Sequence, residues 1–420
     1  MTLYRACWLA VYIAANLIAA IVFFRSGQLD GDLIGYPLPD HSVLVVASIA
    51  VVASYLIWMG PLFGAMNSFK VNSLVPSWGK IHLPHDEKFV GVFVILVQLL
   101  FLLFNIAEGT NVAGSRFSTD SPLRFIWILF VPDTLFLIYY GIYRKSRFFK
   151  FNLALYLISN VMRGWLGTWM IVFFMEGAYR VSEKRLDWKK VLLFLVAFSL
   201  LLPLLVQIKW TIRTVATGGV FNGNEILEQI LMFTNTANWF DSFREAIQPI
   251  VMRLQHLANV IAIIDQSSIL SDGLKNREFL YFFEEGVPQY TIGQILGMTG
   301  VSDIHIMLLT YLIPEQLPVD TITNTHVGLA GWFWIAPHLI SIYIFYLLVL
   351  CWAGIWLAKK IGGGNLLMSV VWFAWLGFLM NGWFAAYIGF LQGIFILMCC
   401  RLTAMKFIPE CIPESPIKHA

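Results

Sequence analysis

Of the 28 lysines and arginines and eight histidines in this 420-residue chain, a few stand where solvation alone does not explain them. Arg163 lies in Asn160-Val-Met-Arg-Gly-Trp, an apolar setting in which a guanidinium is costly and marks either a ligand contact or a helix-end residue snorkelling to an interface. Arg213 follows an apolar run in Lys-Trp-Thr-Ile-Arg-Thr-Val-Ala-Thr-Gly-Gly, whose glycines permit close backbone approach to an anion. Arg244 and Arg253 fall on a helix expected over Asp241–Ile264. There Ile247, Val251, Leu254, Leu257, Ile261 and Ile264 form one apolar face, and Arg253, His256 and Asn259 follow at three-residue steps as a polar strip. Arginine's planar fork holds phosphate or pyrophosphate in a bidentate way and keeps its charge when desolvated.

His326, in Thr323-Asn-Thr-His-Val-Gly-Leu-Ala-Gly, is the first choice for a base that takes a hydroxyl proton near neutral pH, with Asn324 beside it. Glu284-Glu285 and Asp303 are the alternative bases, although an adjacent carboxylate pair is also what a solvated turn contains. Asp30-Gly-Asp32 reads as a metal site or, more simply, a hydrophilic turn. No phosphate-binding loop, dinucleotide fingerprint, zinc-protease helix or nucleophile elbow is present. The five cysteines lack metal-ligand spacing with histidine, so no metal or other cofactor is expected.

The elements that must hold these residues are membrane helices. The chain is 59% hydrophobic and 13% charged, with a mean hydropathy of +0.73, whereas soluble domains are roughly 45–50% apolar and about 25% charged. That excludes soluble, disordered and nucleic-acid-binding classes. Spans of about 20 apolar residues are expected at Ala6–Phe24 (read as a retained anchor), Ser42–Phe63, Phe89–Ile106, Phe125–Tyr143, Val191–Ile208, Trp334–Ala358, Leu366–Met380 and Trp383–Cys400. Between Lys150 and Arg180 a further apolar stretch reads as a tight hairpin with Arg163 near its tip. The fold class is thus an all-α polytopic membrane protein with about 10 membrane-crossing segments and one large helical loop on the outer side.

Lysine-rich connections (Lys70 to Lys88, Arg144 to Lys150, Arg180 to Lys190, Lys359-Lys360) belong on one face, the cytoplasmic one, together with both termini. The cations left for the other face are mostly arginine: Arg25, Arg116, Arg124, Arg163, Lys209, Arg213, Arg244, Arg253, Lys275 and Arg277. Ion pairing with nearby acids explains such a skew as readily as a phosphate ligand does. The chain divides into an N-terminal bundle over 1–208, an outer segment over 209–331 of short amphipathic helices such as Glu225–Phe233, and C-terminal helices over 332–420. The outer segment holds nearly half of the 25 acids. Its aromatics Trp239, Phe240, Tyr281, Phe282 and Phe283 suit lining the membrane interface.

This arrangement resembles the O-antigen polymerase (Wzy-type) and O-antigen ligase superfamily of integral membrane glycosyltransferases. Asn160-Val-Met-Arg163-Gly resembles its Ser-Arg-Gly turn, and Arg213 and Arg253 resemble its paired loop arginines. Asn324-Thr-His326-Val-Gly-Leu-Ala-Gly-Trp resembles its histidine-bearing segment before the next span. The family's arginine-to-glycine spacing is not met from Arg253, where Ile264 stands, and is off by one from Arg213, at Gly223. The resemblance implies an enzyme of the bacterial inner membrane. It would transfer, with inversion and without metal, a growing undecaprenyl-pyrophosphate-linked oligosaccharide onto a new lipid-linked repeat unit in the periplasm. Arg163, Arg213, Arg253, Arg244 and Asn324 would bind pyrophosphate and glycan, and His326 would act as base. A chain-length-regulating co-polymerase is an implied partner, alongside the lipid-linked substrate and membrane lipid. Transfer to lipid A-core, use of a polyprenyl-phosphate sugar, and flipping of a lipid-linked saccharide are the competing functions.

Overall fold

The computed structural model describes residues 2–74, 84–111, 121–165, 167–217, 238–286, 301–313 and 325–407. Asn324, Arg116 and the expected helix Glu225–Phe233 lie outside them, as do the side chains of Arg213 and Arg253. The chain is helical: α1 (Leu3–Ser26), α2 (His41–Ser68), α3 (Pro84–Glu108), α4 (Arg124–Phe130), α5 (Pro132–Tyr143), α6 (Phe149–Met162), α7 (Gly167–Ser182), α8 (Trp188–Thr217), α9 (Trp239–Leu254), α10 (Leu257–Asp265), α11 (Ser267–Lys275), α12 (Ile304–Leu312), α13 (Gly328–Ile335), α14 (Ile340–Lys360), α15 (Asn365–Leu379) and α16 (Phe384–Phe407). Among the described residues, β pairing is confined to two isolated bridges, Gln28 with Pro37 and Phe279 with Ser302.

Seven of these helical stretches are long and apolar enough to cross a membrane: Leu3–Ser26, His41–Ser68, Asp86–Glu108, Arg124–Tyr143, Trp188–Ile212, Pro337–Lys360 and Phe384–Met405. They coincide with seven of the expected spans; the eighth, α15, is apolar but shorter. Their outward faces carry Val11, Ile18, Ile49, Leu96 and Leu103, exposed apolar side chains that suit contact with lipid. The hairpin arms are of similar length to α15. These arms, α6 and α7, have 14 and 16 residues, reaching roughly 21–24 Å against a hydrocarbon core of about 30 Å.

One end of the bundle gathers the lysine-bearing connections. Arg144 pairs with Glu176 at 2.7 Å and Lys145 with Glu183 at 2.9 Å, so α7 returns to the end from which α6 left. Lys359 Nζ donates to the Asn67 and Phe69 carbonyls, Arg401 pairs with Asp86, and Arg5 donates to Ser369 Oγ at 2.9 Å. The four lysine clusters, wherever described, therefore meet at one end, as the charge pattern expects.

Close helix approach fixes the middle of the bundle. A Cβ on Gly141 of α5 would stand 3.0 Å from the Leu367 Cα and 2.8 Å from its Cδ1 on α15. Gly141→Leu should force α5 and α15 apart and cost about 1–3 kcal/mol. A lowered thermal unfolding midpoint in detergent checks this, and an unchanged midpoint would refute the contact.

Candidate functional site

The expected helix Asp241–Ile264 is broken. α9 ends at Leu254, Gln255 is extended with ψ 141°, and α10 begins at Leu257. The cause is tertiary, because neither glycine nor proline stands at the break. Asn16 of α1 uses its Oδ1 to accept from the His256 and Leu257 amides at 2.9 and 3.1 Å, and Gln255 Oε1 accepts from the Ala258 amide. Those bonds satisfy the free amides at the start of a helix. The three-residue polar strip through Arg253, His256 and Asn259 therefore does not exist on one helix.

Beyond the break, α10 (Leu-Ala-Asn-Val-Ile-Ala-Ile-Ile-Asp) is apolar except for Asn259 and Asp265, and its residues from Leu257 to Ile263 are all buried. It packs against α1, α2 and α13 instead of lying on a surface. Backbone that is not helical is tolerated at such depth only where it is enclosed by protein or lines a cavity.

Two glycine-bearing segments meet beside it. α15 ends in a π-helical turn, Trp375–Leu379, and reverses through Gly382, which has φ +76°. Opposite it, Gly328 opens α13 with φ +72°, and its amide donates to the Asn381 carbonyl at 3.1 Å. A Cβ on Gly382 would press on the Gly328 carbonyl oxygen at 3.2 Å, so the two backbones need these glycines to touch.

The polar side chains carried there come from distant parts of the sequence. Tyr55 Oη and His256 Nδ1 are 3.0 Å apart. Asn381 Nδ2 donates to the Gly377 carbonyl at 2.6 Å, and Asn381 Oδ1 and His256 Nε2 are buried without a hydrogen bond. Asn259 donates to the His326 carbonyl at 2.7 Å. The His256 and His326 rings lie 5.6 Å apart, and His326 rests on Trp383 at 4.3 Å. A cavity of about 10 Å³, lined by Ser54, Tyr55, His256, Gly328 and Met380 among others, has the volume of a single water.

Burial pushes the His256 imidazole down to about 4 from 6.5, with Asn381 opposing in part. Between these values the unfolded chain binds a proton that the folded site refuses. Stability should therefore be full above pH 6.5 and fall as pH drops toward 4, by about 3 kcal/mol in all. His256→Gln should flatten that dependence in thermal unfolding; equal slopes for variant and wild type would refute it.

The other sequence-predicted residues separate. Arg163 caps α6, is 5% exposed, and donates to both Asp133 oxygens at 2.7–2.8 Å and to Asn160 Oδ1 at 3.0 Å. Phe101 and Trp165 cover its guanidinium. Asp133 stands there because α4 and α5 break at Val131-Pro132. Arg163 is thus engaged within the bundle rather than snorkelling. Arg213 lies near the end of α8 and Arg253 near the end of α9, two helices in contact; Arg244 is exposed on α9. Lys275 and Arg277 pair with Asp272 and Glu284, which is the local ion-pairing reading of outer cations.

Glu284 and Glu285 diverge. Glu284 turns out to Arg277, whereas Glu285 is 1% exposed and faces His305 Nε2 at 3.4 Å. Phe282 is core, Trp239, Phe240 and Phe283 are exposed, and Tyr281 stacks on Phe283. Asp30 caps the short turn Gly31–Leu33, and among the described residues no group of three metal-binding side chains occurs.

No protein-family model, curated protein or solved structure matches the chain. The residues that sequence reasoning missed are Tyr55, Asn16, Asn381 and His305. Asn16, an amide inside the span Ala6–Phe24, is the one that carried a visible signal.

Proposed function

We propose that the protein is a membrane glycosyltransferase that polymerises lipid-linked oligosaccharide, an O-antigen-type polymerase. In this reading the lysine-bearing end faces the cytoplasm, the arginine-bearing end and segment 209–331 face the periplasm, and about ten segments enter the membrane. The observation that carries it is the meeting of the buried His326 and His256 rings, 5.6 Å apart, beside a water-sized recess lined by Tyr55 and His256. Asn16, which anchors that recess, lies about 15 Å below the arginine-bearing end of α1.

The chemistry needs few parts. The acceptor hydroxyl of a new repeat unit attacks the anomeric carbon of the growing chain; the new C–O bond forms as the bond to the pyrophosphate oxygen breaks, with inversion. The hydroxyl proton passes to His326, and undecaprenyl pyrophosphate leaves with its charge. Because His256 is held neutral, the imidazolium formed at His326 meets no like charge across 5.6 Å. Arg213 and Arg253 stabilise the departing pyrophosphate, while Arg163 holds the α6–α7 turn through Asp133.

Arg213→Ala or Arg253→Ala should stop chain growth in cells while the protein is still made and inserted. Arg→Lys should also be poorly tolerated, because lysine lacks the bidentate fork. Wild-type chain lengths from both alanine variants would defeat the arginine roles. A second reading, transport of a lipid-linked saccharide, is favoured by the discontinuous helices that meet at depth. It predicts lipid-linked units stranded on the cytoplasmic leaflet when the protein is lost.

A further inference from the structure

We propose that the buried Glu285–His305 pair is a clamp that positions His326, so that both are positioning residues for the proton acceptor of the proposed polymerase. The inference rests on that reading for the role of His326, and on its own geometry for the clamp.

Glu285 lies just past α11 and the Phe279–Ser302 bridge, and His305 in the first turn of α12. Both are buried, and Glu285 Oε2 stands 3.4 Å from His305 Nε2. The His305 carbonyl accepts from the Thr325 amide at 3.0 Å, and its imidazole faces the Thr325 backbone as well. Thr325 is fully buried and directly precedes His326. The His305 main chain thus holds the residue before the base, while the Glu285 contact fixes the ring of that same His305.

The charges around the pair are few. Asp303, ahead of α12, faces His305; Tyr343 and Tyr346 of α14 face Glu285, which also reaches the Ala385 amide at the start of α16. Burial alone would lower the His305 imidazole, but Glu285 and Asp303 more than offset it and hold it above its usual range. Burial raises Glu285 and Asp303, against the attraction of His305. The Glu285–His305 contact ties the segment ending at Gly286 to α12, and through the His305 carbonyl to Thr325, next to His326.

The test is histidine ring NMR on the intact protein in detergent, with resonances assigned from His305→Gln and His326→Asn. In the wild type His305 should titrate above 6.5. In Glu285→Gln its midpoint should fall by about one pH unit, a tenfold loss of proton affinity, and the His326 resonance should shift although Glu285 does not touch it. Glu285→Asp should restore both in part, and the Glu285→Gln strain should make shortened glycan. A His326 resonance that stays in place, or full-length glycan from Glu285→Gln where His326→Asn makes none, overturns the clamp. Should Glu285→Gln not fold, a wild-type His305 midpoint at or below 6.5 overturns it. If His326→Asn itself makes normal glycan, the polymerase reading falls while the resonance shift still decides the clamp.

Discussion

His326→Asn should reduce glycan polymerisation by about 10²–10⁴-fold, the usual contribution of a positioned general base, with the protein inserted at wild-type levels. Asparagine keeps a polar side chain of similar reach but cannot take up a proton. The surroundings of position 326 do not depend on the imidazole for their folding. Asn259 bonds the backbone carbonyl of His326, and the neighbouring Gly328 amide bonds Asn381. The change removes the proton acceptor together with the ring contacts to Trp383 and His256. Chain length on gels, alongside an immunoblot of membranes, measures the effect. A normal ladder from His326→Asn would remove His326 from the chemistry. His256→Asn gives the contrasting case. Its imidazole is held neutral and bonded by Tyr55, so its loss acts through stability rather than through proton transfer.

Asp133→Ala should destabilise the protein by about 3 kcal/mol, because it strands a buried guanidinium rather than because the ion pair itself is strong. Arg163 Nη2 donates to both oxygens of Asp133, and Phe101 and Trp165 enclose the guanidinium. Adding Arg163→Met to Asp133→Ala should recover much of the loss, since a matched apolar replacement leaves no unpaired charge. The exposed pair Lys275–Asp272 supplies the comparison: Asp272→Ala should change stability by less than about 1 kcal/mol. Denaturation in detergent measures all three variants beside the wild type. Equal effects at Asp133 and Asp272 would show that Arg163 is not held as described.

The spans were legible because a run of about 20 apolar residues has few other uses. Leu3–Ser26, His41–Ser68 and the other long helices follow the hydropathy directly. The lysine clusters were legible for the same reason, being the points where the chain must meet water. The break at Gln255 was not legible. Ile247, Val251, Leu254, Leu257, Ile261 and Ile264 keep a helical period across it, and the partner that caps α10 sits 240 residues away in Asn16. A neighbouring pair such as Glu284-Glu285 is equally opaque, because one residue turns out to Arg277 and the other inward to His305. At the site, His326 was readable as a type of residue in a glycine-bearing loop, whereas its neighbours Tyr55, His256 and Asn381 come together only through folding. Local pattern reports the environment of an element; it does not report which distant polar group will be its partner.

The most direct measurement is the profile of lipid-linked saccharide in a strain lacking this protein, complemented with wild type or His326→Asn. The polymerase account predicts single repeat units on the lipid carrier in the periplasmic leaflet, long chains restored by wild type, and none restored by His326→Asn. Long chains persisting on the lipid carrier, or units retained in the cytoplasmic leaflet, would contradict it.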